Sequence, residues 1–176
     1  SSDSVTPGAG TITAAMIATG LQLGTIDAQN NTLLGNNAGD SFTGTDANYN
    51  TFVGFNSGTD LTTGDYNSGF GAYTLSDTTT ASENTALGYA ALYLNTTGYR
   101  NVSVGAFSLD ANTVGHSNVA IGYHSLSGNT TALSNTAVGY ETLKANTTGA
   151  NNIAVGYQSL YANTTASNNT AIGMQA

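Results

Sequence analysis

Residues 84–176 read NTALGYAALYLNTTGYR from Asn84, NVSVGAFSLDANTVGHS from Asn101, NVAIGYHSLSGNTTALS from Asn118, NTAVGYETLKANTTGAN from Asn135, NIAVGYQSLYANTTASN from Asn152 and a cut-off NTAIGMQA from Asn169. One seventeen-residue phrase is said repeatedly, and a short fixed period is the mark of units that stack on one another and share a core. With the leading Asn as position 1, the N-x-x-x-G core extends the register upstream to Asn67, Asn50 and Asn31. The spacing is seventeen from Asn50 onward and nineteen from Asn31 to Asn50, which places a two-residue insertion within Asp40–Asn48. Nine coils are begun, and the last is incomplete.

Within a coil, position 5 is Gly and position 4 is apolar throughout. Five alternating residues closed by Gly read as a short strand ending in a bend. Alternation puts positions 2 and 4 on one face and position 3 on the other. We place position 4, including Leu87, Val104, Ile121, Val138, Val155 and Ile172, in the core. The small residues at position 3 then form a row that lets a neighbouring subunit approach. The converse assignment, with position 3 filling a narrow interior and position 4 facing a neighbour, satisfies the same alternation. Leu at position 9 reads as part of a second short strand, and the N-T-T-G or N-T-T-A text at positions 12–15 reads as turn chemistry. Two Gly-rich bends per phrase and the absence of a 3.6-residue period exclude a helical coil.

The fold class expected is therefore all-β, a parallel β-roll or β-solenoid, spanning residues 31–176. Coils rising about 4.8 Å each make a rod on the order of 40 Å long. Identical residues then lie above one another. Asn84, Asn101, Asn118, Asn135, Asn152 and Asn169 are expected to form an amide ladder of the cross-β kind. Tyr89, Tyr123, Tyr140 and Tyr157 are expected to form an aromatic row interrupted by Ala106, and they are the candidate surface-contact residues. Residues 1–30 lack the repeat. There Pro7–Gly10 reads as a turn, and Thr13 with Ala14–Ala18 reads as a short capped helix, a strand through 11–13 being the alternative. This segment is expected to dock on the first coil.

Only 7% of the chain is charged and the net charge is −8, with Arg100 and Lys144 as the two basic residues. Such a chain repels phosphate backbones and anionic lipid, so nucleic-acid binding is not expected. No run of about 18 apolar residues marks a membrane span, and no membrane insertion is expected. Cysteine is absent, which removes disulfides and thiolate metal sites. The chain begins at Ser1 without Met and stops inside a phrase, so a processed chain or part of a longer one is expected.

The stretch Ser117–Ser125 contains V-A-I-G-x-x-S, which resembles the head repeat of trimeric autotransporter adhesins of the YadA type. The longer form, N-T-A-x-G-Y-x-x-L-x-x-N-T-T-G, is similar to repeats of bacteriophage tail fibres and related virion proteins. This coil is longer than the usual adhesin head coil, and neither heptads nor a membrane-anchor barrel lie in this sequence, which favours the phage-type comparison. The resemblance implies a left-handed roll, a homotrimer, and a structural, non-enzymatic attachment module on a virion surface or in the extracellular space. Its implied partners are other virion or surface-structure proteins and a host-surface glycan or protein receptor. A bacterial adhesin head and a self-assembling extracellular filament subunit are the alternatives.

Catalytic and cofactor chemistry finds no pattern. His116 and His124 occupy different coil positions, with no acid or Cys at ligand spacing. Asp40, Asp46, Asp60, Asp65 and Asp77 cluster in the early coils, but neither an EF-hand loop nor a G-G-x-G-x-D repeat is present. Asp60, Asp65, Asp77, Glu83, Asp110 and Glu141 sit at scattered coil positions, unlike a converging glycosidase pair. No catalytic residue, metal site or cofactor is expected.

Overall fold

A computed structural model describes residues 25–26, 28–42 and 46–176. The expected helix over 13–18 lies outside the described residues, which contain no helix. Each coil contributes one three-residue strand: β2 (Thr32–Leu34), β3 (Thr51–Val53), β4 (Ser68–Phe70), β5 (Thr85–Leu87), β6 (Val102–Val104), β7 (Val119–Ile121), β8 (Thr136–Val138), β9 (Ile153–Val155) and β10 (Thr170–Ile172). These nine strands pair in parallel and in sequence order, making an all-β solenoid. Register is strict: Ala120 pairs with Ala137, and Ile121 with Val138. Upstream, β1 (Thr25–Ile26) pairs antiparallel with β2, so the end of the non-repetitive segment covers the first coil's strand edge.

The insertion in the first coil lies between Phe42 and Ala47. Phe42 and Leu61 make the same turn bond, to Gly39 and Gly58 respectively. The first-column Asn residues bond Ala47 in the first coil and Gly64 in the second, which fixes the end of the insertion.

The two faces of the strand are assigned opposite to the expectation. Position 3 points inward: Phe52, Ala86, Ser103, Ala120, Ala137 and Ala154 are fully buried. Position 4 points outward, so Leu87, Val104, Ile121, Val138, Val155 and Ile172 do not form the core. Leu87 is 49% exposed, Ile121 39% and Ile172 71%, and the three Val residues are half-buried. The reason is width. The interior is already occupied by Leu75, Leu92, Leu109, Leu126 and Leu143 at position 9, all fully buried. A large side chain at position 3 beside Leu at position 9 does not fit a cross-section this narrow.

A second strand is also absent from the described coils. Positions 6–11 form a turn in which positions 7 and 9 take left-handed backbone angles, for example φ 51° at His124 and 52° at Leu126. This alternation turns successive peptide groups along the stack. The His124 N–H donates to Ala106 O of the coil before, and the Leu126 N–H donates to Thr142 O of the coil after. Left-handed Leu costs roughly 1–3 kcal/mol. Burying each Leu side chain recovers about 2 kcal/mol, and the coil-to-coil bonds satisfy otherwise orphaned peptide groups.

Glycine at position 5 is required twice over. Gly122 has φ 134°, and a Cβ built on it would strike the Gly139 carbonyl of the next coil. No L side chain enters a stack with that contact repeated at every level.

Core volume is shared between positions 3 and 9. In the first two repeats the large residue is at position 3 and Gly is at position 9, giving Leu33 with Gly39 and Phe52 with Gly58. From Gly69 with Leu75 onward the large residue is at position 9. The exchange is steric: a Cβ on Gly58 would lie 2.5 Å from the Phe52 ring, and one on Gly69 would lie 2.8 Å from Phe52 Cδ1.

Candidate functional site

Most recurrent polar residues are consumed by the coil. The position-1 column runs from Asn31 through Asn50, Asn67, Asn84, Asn101, Asn118, Asn135 and Asn152 to Asn169, with each backbone N–H donating to the amide oxygen of the Asn below. The side-chain amides also reach across the coil: Asn118 Nδ2 donates to Ala132 O at 2.9 Å. A second amide column, which the turn reading of N-T-T-G passes over, runs through position 12. Asn112 donates to Asn95, Asn129 to Asn112, Asn146 to Asn129 and Asn163 to Asn146, at 2.8–3.2 Å. Its sequence signal was the invariance of position 12 over five consecutive coils. Thr at position 13 supplies a third column, in which each hydroxyl donates to the carbonyl of the next coil's position 13, as from Thr96 to Thr113.

Besides the outward strand face, the outer surface at positions 6–10 carries a row of aromatic side chains. Tyr89, Tyr123, Tyr140 and Tyr157 are all exposed. Tyr123, Tyr140 and Tyr157 stack nearly parallel, with centroids 5.5 and 5.3 Å apart. The expected break at Ala106 is not a break. Phe107, at position 7 of that coil, packs edge-on to both Tyr89 at 5.3 Å and Tyr123 at 6.2 Å. Tyr73 does the same two repeats lower, meeting Phe55 at 5.3 Å and Tyr89 at 5.7 Å. The row is therefore seven rings long, from Phe55 to Tyr157, with the aromatic at position 6 or 7. The dipeptides Ala72-Tyr73 and Ala106-Phe107, set against Tyr89-Ala90, carry this exchange in the sequence.

Beside the row lies a surface pocket of about 380 Å³, lined by Tyr73, Tyr89, Ala90, Tyr93, Phe107 and Asp110. The Asp110 carboxyl is held above its ordinary value by desolvation, partly offset by hydrogen bonds from backbone amides and by the nearby His124. Its Oδ1 is buried without a hydrogen-bond partner. A second cavity, at Leu160, Tyr161, Asn163 and Ala176, adjoins the chain end and contains no ionisable side chain besides Tyr161.

The other candidates are dispersed. His116 stacks on Tyr99 at 4.5 Å, whereas His124 stacks on Phe107 at 5.1 Å, and the two imidazoles serve different columns. Asp65 Oδ1 accepts the Asn48 N–H at 2.8 Å, which is a turn role. Burial first, and then the charge of Asp60, push the Asp77 carboxyl upward. Glu83 pairs with Arg100 at 2.8 Å, and Glu141 with Lys144 at 2.6 Å. Among the described residues no group of three His, Cys, Asp or Glu side chains is placed to hold a metal ion.

No family model, no curated protein and no solved structure matches the chain.

Proposed function

We propose that the chain is a structural, non-enzymatic module of a surface appendage, of the virion-fibre type, in which three copies associate side by side and present a repetitive outer surface for attachment. The observation that carries this reading is the outward strand face. Leu34, Phe70, Leu87, Ile121, Ile153 and Ile172 form an exposed branched and aromatic apolar stripe along the rod. A continuous apolar face of this kind marks an interaction surface in a water-soluble protein. Its one-dimensional repetition suits a lengthwise partner with the same repeat, that is, another copy of the chain. The number three comes from the likeness to trimeric adhesin heads and phage fibres. The amide and threonine columns support a rod-building role, because they commit the recurrent polar residues to the coil. The other virion proteins and the host receptor implied by that likeness would engage the surfaces left outside the trimer seam, and repeated weak contacts would add up through multivalency.

Sedimentation equilibrium tests the association. The expected mass is three times 17.7 kDa for the wild-type chain. The substitution Ile121→Lys, on the exposed face, should give monomers that keep the β-sheet circular dichroism. A wild-type monomer at micromolar concentration would overturn the trimer, and end-to-end polymers in electron micrographs would replace the fibre module with a filament subunit.

A further inference from the structure

We propose that the pocket around Ala90 binds a small organic cation, a quaternary or tertiary alkylammonium such as choline, between aromatic walls and the carboxylate of Asp110. The pocket arises from one residue. Position 7 carries Tyr73 in the coil below and Phe107 in the coil above, but Ala90 between them. Two coil spacings, about 10 Å, separate the flanking levels. The missing ring leaves the cavity of about 380 Å³, with buried Ala90 as its floor.

The walls have the geometry of a box and not of a platform. Tyr73 meets Tyr89 at 73° and Tyr93 at 80°, and Tyr89 meets Phe107 at 70°. Rings set near right angles around a compact space offer negative faces from more than one side to a rounded group, whereas a pyranose needs a flat face. The parallel Tyr123, Tyr140 and Tyr157 stack offers no such box, because its rings are turned toward one another. Attraction of a cation to several ring faces is the usual basis of alkylammonium recognition.

Charge supplies the second, independent observation. Asp110 lines the pocket and its buried Oδ1 has no partner. The chain has two basic side chains in all. Arg100 is held by Glu83 and lies 5.6 Å from the Tyr99 ring, while Lys144 is held by Glu141 and lies 5.8 Å from the Tyr161 ring. Neither reaches Asp110, whose one nearby nitrogen-bearing side chain is His124, so an alkylammonium in the pocket would supply the fixed positive charge that the carboxylate lacks. A net charge of −8 raises the local concentration of such ions and disfavours a ligand that also carries phosphate. That points to a free alkylammonium and away from a lipid headgroup.

The test is titration of the full chain with choline by protein NMR, reading the Tyr and Phe ring signals, with 3,3-dimethylbutanol as the neutral probe of the same shape. Saturable shifts with choline are expected, together with binding of the alcohol weakened by about tenfold or more. Asp110→Asn should weaken choline by about tenfold. Ala90→Gln should abolish binding by filling the gap. That variant should fold, because Gln158 occupies the same coil position with φ 52°, against 54° at Ala90. Equal affinity for choline and the alcohol, or undiminished choline binding in Ala90→Gln, would overturn the proposal. Co-sedimentation with phosphatidylcholine vesicles that is lost in Asp110→Asn would overturn the free-solute assignment. None of these readings depends on how many chains associate, so they stand or fall apart from the trimer.

Discussion

Asn118 sits mid-column, and its one side chain bonds in both directions along the stack. Its amide nitrogen donates to Asn101 Oδ1 and to Ala132 O, and its amide oxygen accepts from the backbone and side chain of Asn135. All of these groups are buried. Removing the amide in Asn118→Ala therefore leaves the Asn135 N–H without a partner in a place that water does not reach, and leaves the Ala132 carbonyl only its longer bond from the Asn129 amide at 3.2 Å. At about 1–3 kcal/mol for the orphaned N–H and about 1 kcal/mol for the lost bond to Ala132, the expected cost is about 3 kcal/mol. Asn118→Asp keeps the acceptor but loses both donors and aims a carboxylate at two oxygens. It should be worse than Ala at pH 7 and recover in part on acidification, when the protonated acid regains one donor. Urea denaturation of both variants at pH 7 and pH 4.5 measures this. A cost below about 1 kcal/mol for Asn118→Ala would mean that the column is decorative. The amide ladder was legible in the sequence because it requires only period and stacking. The left-handed Leu at position 9 was not, since Leu has no preference for positive φ and adopts it here only because the stack needs peptide groups turned along its axis.

At the scale of the coil, the sequence was read correctly for which residues share a face and wrongly for which face lies inside. Alternation fixes the first and is silent on the second. The rule that large apolar residues go inside fails here because Leu at position 9 already fills the interior, and β-branched residues at position 4 suit an outer sheet face as well as a core. The deciding signal was the exchange between positions 3 and 9, where Leu33 and Phe52 each accompany a Gly and the later Ala and Ser residues each accompany a Leu. Position 4 shows no such complementarity with position 9. The exchange predicts a double-mutant cycle. Phe52→Ala alone leaves a cavity and should cost about 3–5 kcal/mol. Gly58→Leu alone drives a side chain into the Phe52 ring, since even its Cβ would lie 2.5 Å from that ring. The double variant recreates the Ala86 with Leu92 pattern. Its backbone is suited to Leu, with φ 62° at Gly58 against 54° at Leu92. It should be more stable than either single variant, with a favourable coupling of about 2 kcal/mol or more in guanidinium melts. Strict additivity would remove the claim that the two positions share one volume. The pocket at Ala90 obeys the same logic on the outside of the coil. The exchange of Ala and aromatic between positions 6 and 7 was present in the sequence, but it becomes a cavity only once the turn geometry sets both positions on one surface.

For the whole molecule, acidity is the property that distinguishes this rod from most soluble domains, and its consequence for stability depends on which carboxylates dominate. Asp110 and Asp77 are both raised above the ordinary 3.8, each first by desolvation. A carboxylate with a raised folded-state pKa binds its proton more readily in the folded chain than in the unfolded one. Stability therefore rises as pH falls through the folded pKa, and the gain is complete below the unfolded value. Glu83 and Glu141 act oppositely. Hydrogen bonds from Arg100 to Glu83 and from Lys144 to Glu141 hold them below the ordinary 4.5. Their contribution is present above that value and is lost only as pH falls through the lowered folded pKa. Above the ordinary carboxylate range the glutamate contribution is constant, while protonation of the aspartates and relief of self-repulsion at net −8 both favour the folded chain as pH falls. The thermal midpoint at constant ionic strength should therefore climb as pH is lowered from 7 toward that range, and turn down below it when the two glutamates protonate. Asp110→Asn should raise the midpoint at pH 7 and flatten the climb, because it removes the group whose desolvation produces part of the slope. A wild-type midpoint that falls steadily from pH 7 to pH 5 would show that paired carboxylates, and not the desolvated aspartates, govern the rod's response to acid.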